Sequence, residues 1–192
     1  MIKEVIEHIN GLVTLDVSKF YGLVEKVTRY AEPVTSYPAE YVGGGDFSPI
    51  NFDFSSSLIY HRVNGSQSSQ ESESATGCGM DLIITQPMRL VLYCSRDMIS
   101  REVYGVDKIV HNIRQDISFN NSSSLSASLK SDYVSVVVNS VNMDFYSVWA
   151  DEFNNVDYSL NSYKCLIAFS TLVHLYNFLM NLSLYINLLP NP

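Results

Sequence analysis

The sequence predicts an α+β fold: a mainly antiparallel sheet with one helix packed across it, an N-terminal helix and a long hairpin. Three observations carry this expectation. Ile99, Val103, Val106, Val110, Ile113 and Ile117 follow one another at steps of 4, 3, 4, 3 and 4. That is the stripe of an amphipathic helix of about five turns, with Asp97 as its candidate cap. Apolar, β-branched runs at 58–63, 80–84, 88–94 and 133–143 read as strands. Finally, 192 residues is one domain's worth of chain, 1–192, and buries enough surface to fold without a disulfide or a metal.

The elements follow in chain order. Ile2, Val5, Ile6, Ile9 and Val13 line one side of an N-terminal helix, which Gly11 is placed to end early. Residues 24–30 and 39–42 are β-like but separated by Glu32-Pro33 and Tyr37-Pro38. Because proline donates nothing to a ladder, a short edge strand or an extended crossing is expected there. Gly43-Gly44-Gly45-Asp46 is a turn, and 58–63 a strand bearing Tyr60 and His61. Residues 64–77, rich in Ser and Gln with no large apolar side chain, read as the flexible tip of a hairpin. Pro87 predicts a bulge or kink between the runs at 80–84 and 88–94. The stripe from Ile99 is narrow and β-branched, so that helix is expected to lie across a sheet rather than in a coiled coil. After the polar loop at 120–124, Val134, Val136 and Val138 mark one face of a strand, and Val137 and Val141 suggest cover on its other side. Residues 165–178 fit either a buried strand or a helix on Leu166, Phe169, Val173, Tyr176 and Met180, and their β-formers favour the strand. Residues 179–192 read as a C-terminal arm reaching a neighbouring subunit or, over 182–189, as a hairpin partner, stopped by Pro190 and Pro192.

Composition narrows the chemistry. With 46% hydrophobic and only 17% charged residues, disordered and collagen-like classes are excluded. Twenty acids against 12 bases give a net charge of −8, which argues against a sequence-independent grip on nucleic acid. Met-Ile-Lys-Glu opens straight into the first helix, so no secretory leader is expected, and the polar residues within 165–189 argue against a membrane span. Cys78, Cys94 and Cys165 are odd in number and far apart, which points to free thiols rather than a disulfide or zinc framework. His8, His61, His111 and His174 fall one per element without ligand spacing, so no metal or cofactor is expected. No G-x-S-x-G elbow surrounds a serine, and no Lys-Ser or Lys-Thr pair follows the three glycines.

Residues 144–163 are acidic and aromatic, with no base before Lys164. Asp151 and Glu152 beside Trp149 have the ingredients of a sugar-cleaving pair, but in a strand adjacent side chains point to opposite faces and would not meet one substrate. An acidic surface with half-buried aromatics, of the kind enriched at protein interfaces, fits better. Tyr146, Trp149, Phe153 and Tyr158, with Tyr176 and Phe178 further on, are the candidate interface residues, and no catalytic residue is assigned.

The order of elements is an N-terminal helix, the crossing Tyr37-Pro38-Ala39-Glu40-Tyr41-Val42-Gly43, a hairpin with a polar tip, then Met88-Arg89-Leu90-Val91-Leu92-Tyr93-Cys94. A helix ending Ile113-Arg114-Gln115-Asp116-Ile117 and later strands complete it. This order resembles the tail terminator and head-to-tail (neck) completion proteins of tailed bacteriophages, over most of residues 1–180. The resemblance implies a non-enzymatic virion protein, assembled in the host cytoplasm as a sixfold or twelvefold ring at the neck–tail junction. Its partners would be copies of itself and other neck and tail proteins, with DNA passing through the ring unbound. A different class, a small ligand- or glycan-binding module using the acidic, aromatic surface around Trp149, is the alternative.

Overall fold

The structure is a computed structural model that describes residues 2–51, 57–73, 79–94, 99, 105–120, 127–129, 131–153 and 165–180. It is α+β, with a mixed and mostly antiparallel sheet. The elements are α1 (Ile2–Leu12), β1 (Lys19–Arg29), β2 (Thr35–Gly43), β3 (Asp46–Pro49), β4 (Leu58–Val63), β5 (Ser68–Glu73) and β6 (Gly79–Cys94). They continue with α2 (Val106–Ile117), β7 (Phe119–Asn120), β8 (Tyr133–Asn142), α3 (Phe145–Glu152) and β9 (Cys165–Met180). Strands lie in the order β3-β2-β1-β4-β6-β9-β8-β7, with β5 also on β6.

Strands β6 and β9 form the spine, antiparallel in register from Gly79↔Met180 to Cys94↔Cys165. β9 is therefore the strand that its β-formers favoured. On its other edge β6 is paired first by β5, Ser68↔Thr85 to Glu73↔Met80, and then by β4, Val63↔Met88 to Leu58↔Tyr93. Residues 64–67 thus stand opposite only Gln86 and Pro87, a local bulge. Pro87 directs its carbonyl into that bulge, where it accepts from the Asn64 N–H, so the missing proline donor falls where no ladder rung is needed. Gln86 spans the gap by donating from Nε2 to the carbonyls of Gly65 and Pro87. The bulge expected at Pro87 exists, but the strand carrying Pro87 is continuous and its neighbour steps aside. The polar stretch expected as the hairpin tip likewise contains a strand, β5. Its Ser, Gln and Glu residues are poor β-formers, and ladder bonds to β6 order them.

Three further expectations are corrected. Pro38 lies inside β2 with strands on both sides, rather than on an edge or crossing. It occupies the end of the β3 ladder, where its carbonyl accepts from Ile50 N–H and no donor is required. The central helix begins at Val106 because Gly105 has φ +66°, outside helical space, so Val106–Ile117 is a separate helix rather than the end of one starting at Ile99. The proposed cap Asp97 lies outside the described residues. The first helix runs through Gly11 to Leu12.

Each face of the sheet has its own core. On one, Val5, Ile6 and Ile9 of α1 and Ile109, Ile113 and Ile117 of α2 pack on Ile59, Leu90, Leu92, Val134, Val136, Ile167 and Phe169. Helix α2 therefore lies across the sheet as its stripe predicted. On the other face α3, through Val148, Phe145 and Trp149, meets Tyr21, Val24, Leu58, Tyr60, Val91, Tyr93, Leu166 and Ala168. Strand β8 is buried at Val134, Ser135 and Val136, while Val137 is exposed.

Candidate functional site

Residues Phe145–Glu152 of the acidic, aromatic segment fold as helix α3, not as a strand. Asp144 caps it, its Oδ1 accepting from the Tyr146 N–H at 3.1 Å. Phe145, Val148, Trp149 and Glu152 recur at helical steps and turn towards the sheet. Along that side Phe145 and Trp149 stack at 5.8 Å between centroids, and Trp149 and Phe153 at 4.0 Å. The aromatic column leads along the helix to an ion cluster at its C-terminal end.

That cluster joins two arginines of the sheet to two acids of the helix. Arg62 on β4 and Arg89 on β6 are directly opposite in the ladder. Arg62 Nη1 donates to Glu152 Oε2 at 2.8 Å, Arg89 Nε lies 3.3 Å from Glu152 Oε1, and Arg89 Nη1 donates to Asp151 Oδ2 at 2.9 Å. The Glu152 side chain is 0% exposed, whereas that of Asp151 is 52% exposed. Lys26 Nζ on β1 adds a bond to the Asp151 carbonyl at 2.9 Å, tying the last turn of α3 to a third strand. The two acids therefore do converge, on one guanidinium, contrary to the strand-based expectation: Arg89 is long enough to reach both from below the helix. The phenol of Tyr60, fully buried, is pushed well above its ordinary pKa, first by burial and then by the Glu152 charge, and stays neutral. The cluster thus holds charges matched in pairs, an arrangement that fastens α3 to the sheet.

The opposite face has a neutral counterpart. His61 on β4 is buried, with Nε2 2.7 Å from Oδ1 of Asn10 on α1, so Nε2 carries the proton. Burial lowers its pKa to about 3. His174 Nδ1 lies 3.0 Å from Thr85 Oγ1, and burial lowers its pKa as well. Cys94 is buried. Among the described residues no group of three or more His, Cys, Asp or Glu is placed to hold a metal ion. No helix among them is long and apolar enough to cross a membrane.

The six candidate interface residues separate. Tyr146 is 59% exposed, Trp149 is half-buried and Phe153 is buried. Tyr176 and Phe178 are in β9, their backbones opposite Ile83 and Asp81, and their side chains are outside the described part of the molecule. Tyr158 is outside the described residues.

Sequence reasoning missed a second surface. Phe20, Tyr30, Val34, Tyr41 and Val42, which make up most of the exposed large apolar side chains among the described residues, belong to β1, β2 and the turn between them. Tyr41 also packs on Phe47 of β3 at 5.4 Å, next to a tip formed by Gly43, Gly44 and Gly45, all at positive φ. The available signal was the glycine run flanked by Tyr41-Val42 and Phe47. No protein-family model matches the chain, and no curated protein matches it in sequence.

Proposed function

We propose that this protein is a non-catalytic structural subunit that assembles with copies of itself, in the manner of the ring-forming tail terminator and neck completion proteins of tailed bacteriophages. The observation that carries the reading is that most of the exposed large apolar side chains among the described residues lie on β1, β2 and the turn between them. They fall at the two ends of the hairpin, Phe20, Tyr41 and Val42 near the glycine tip and Tyr30 and Val34 at the β1–β2 turn, and each end offers apolar area to a partner. Two other features fit. The interior charges are spent on one another in holding α3, and a net charge of −8 suits a ring through which DNA slides without adhering. Glycan binding is less well supported: a sugar platform needs an open aromatic face, and the half-buried Trp149 ring is stacked with both Phe145 and Phe153.

Light scattering on a size-exclusion column, followed by negative-stain microscopy of the eluted peak, tests the proposal. A mass that is a fixed multiple of 21.6 kDa, together with annular particles, is the expected result. A single monomeric peak at every loading concentration overturns it.

A further inference from the structure

Cys94 and Cys165 are far apart in the sequence, yet the fold sets their backbones directly opposite one another. Cys94 is the last residue of β6 and Cys165 the first of β9, and they are partners at the end of the antiparallel ladder that forms the spine of the sheet. Their neighbours fix the face on which they meet. Met88, Leu90, Leu92 and Cys94 alternate along β6 on the side covered by α1 and α2. Across the ladder Phe169, opposite Leu90, and Ile167, opposite Leu92, belong to the same core. Position 165 continues that row and falls on the face of Cys94, which is 0% exposed.

Backbone geometry alone brings such a pair within bonding range. Directly opposed residues of an antiparallel pair have Cα atoms about 4.5–5.5 Å apart, inside the window of about 4.4–6.8 Å that disulfides span. The third cysteine does not compete for either partner. Gly79, the residue after Cys78, begins β6 at its other end, and a strand of 16 residues is about 50 Å long.

Independently of any assembly, we infer that Cys94 and Cys165 are a redox pair that closes into a cross-strand disulfide at the end of the β6–β9 ladder. The oxidant is a small disulfide of the glutathione class. One cysteine thiolate attacks it, forming a mixed disulfide and releasing one glutathione. The second cysteine thiolate then attacks the protein sulfur of that mixed disulfide, forming the Cys94–Cys165 bond and releasing the other glutathione. Two electrons and two protons pass in all from the cysteine pair to the glutathione disulfide. A reducing cytosol keeps the pair as two thiols, and an oxidising medium closes it. The closed loop contains α2, β7, β8 and α3, so the bond restricts the unfolded chain and stabilises the folded one.

Refolding the full chain from urea in a reducing and in an oxidising glutathione buffer tests the pair without requiring an oxidant to reach a buried sulfur. In the oxidising buffer the titratable thiols should fall from three to one, the intact mass should fall by two hydrogens, and a non-reducing peptide map should join Cys94 to Cys165. The urea midpoint should rise by about 1–2 M over that of the reduced chain. Cys94→Ala and Cys165→Ala should each abolish the link and the rise, whereas Cys78→Ala should leave both. If Cys94→Ala, at a core position, does not fold, Cys165→Ala carries the comparison. A link that includes Cys78, glutathione adducts with no protein disulfide, three titratable thiols after oxidative refolding, or a linked chain no more stable than the reduced one overturns the inference.

Discussion

The two faces of the sheet hold their helices by different means. Under α1 and α2 the contact is almost wholly aliphatic, and its buried polar bonds, such as His61 to Asn10 and Thr171 to the Met88 carbonyl, are between neutral groups. Under α3 an aromatic column gives way to ion pairs, two arginines on adjacent strands meeting two acids at the helix's end. Aliphatic packing is non-directional and tolerates swaps of similar volume. Buried ion pairs add little net stability but penalise any arrangement that separates them. The first face therefore supplies cohesion, and the second fixes where α3 sits.

Removing one partner from the ionic face should have the largest effect. Glu152→Ala leaves Arg62 and Arg89 without their shared acceptor and should cost about 3–5 kcal/mol in urea unfolding. Replacing the set together, as Glu152→Leu with Arg62→Met and Arg89→Met, should recover most of that loss, because the apolar isosteres need no partner. On the aliphatic face Ile113→Ala should cost about 2–5 kcal/mol and Ile113→Val only about 0.5–1.5 kcal/mol, a graded response to volume that the ionic face should not show.

Acid separates the faces again. His61 is neutral when folded, with its pKa lowered from 6.5 to about 3. Its contribution is complete above pH 6.5 and declines as pH falls, because the unfolded chain takes up the proton first. The loss from this residue should reach about 2 kcal/mol at pH 5. In His61→Gln, the fall in stability between pH 8 and pH 5 should be smaller by that amount. The smallest effect expected is at the α3 cap, where Asp144→Ala should cost about 1 kcal/mol.

What could be read from the sequence was local. Helix α1, the stripe of α2 and strands β4 and β8 follow from periodicities that neighbouring residues impose on one another. What escaped depended on partners distant in the chain. Strand β5 is polar and a poor β-former, so only the presence of β6 reveals it. Arg62 and Arg89 gain meaning from acids 62 or more residues away, and Lys26 reaches the Asp151 carbonyl across 125. Helix α3 was legible in principle. Asp144 before Phe145, Val148, Trp149 and Glu152 is a cap followed by helical spacing, but the density of aromatics resembled a strand. Gly105 was visible too, inside a stripe whose regularity concealed the break.

Self-assembly is the claim on which the functional account stands, and sedimentation velocity over a hundredfold range of protein concentration tests it most directly. The account predicts a discrete oligomer that dissociates to 21.6 kDa subunits only on dilution. One sedimenting species of 21.6 kDa throughout that range would contradict it.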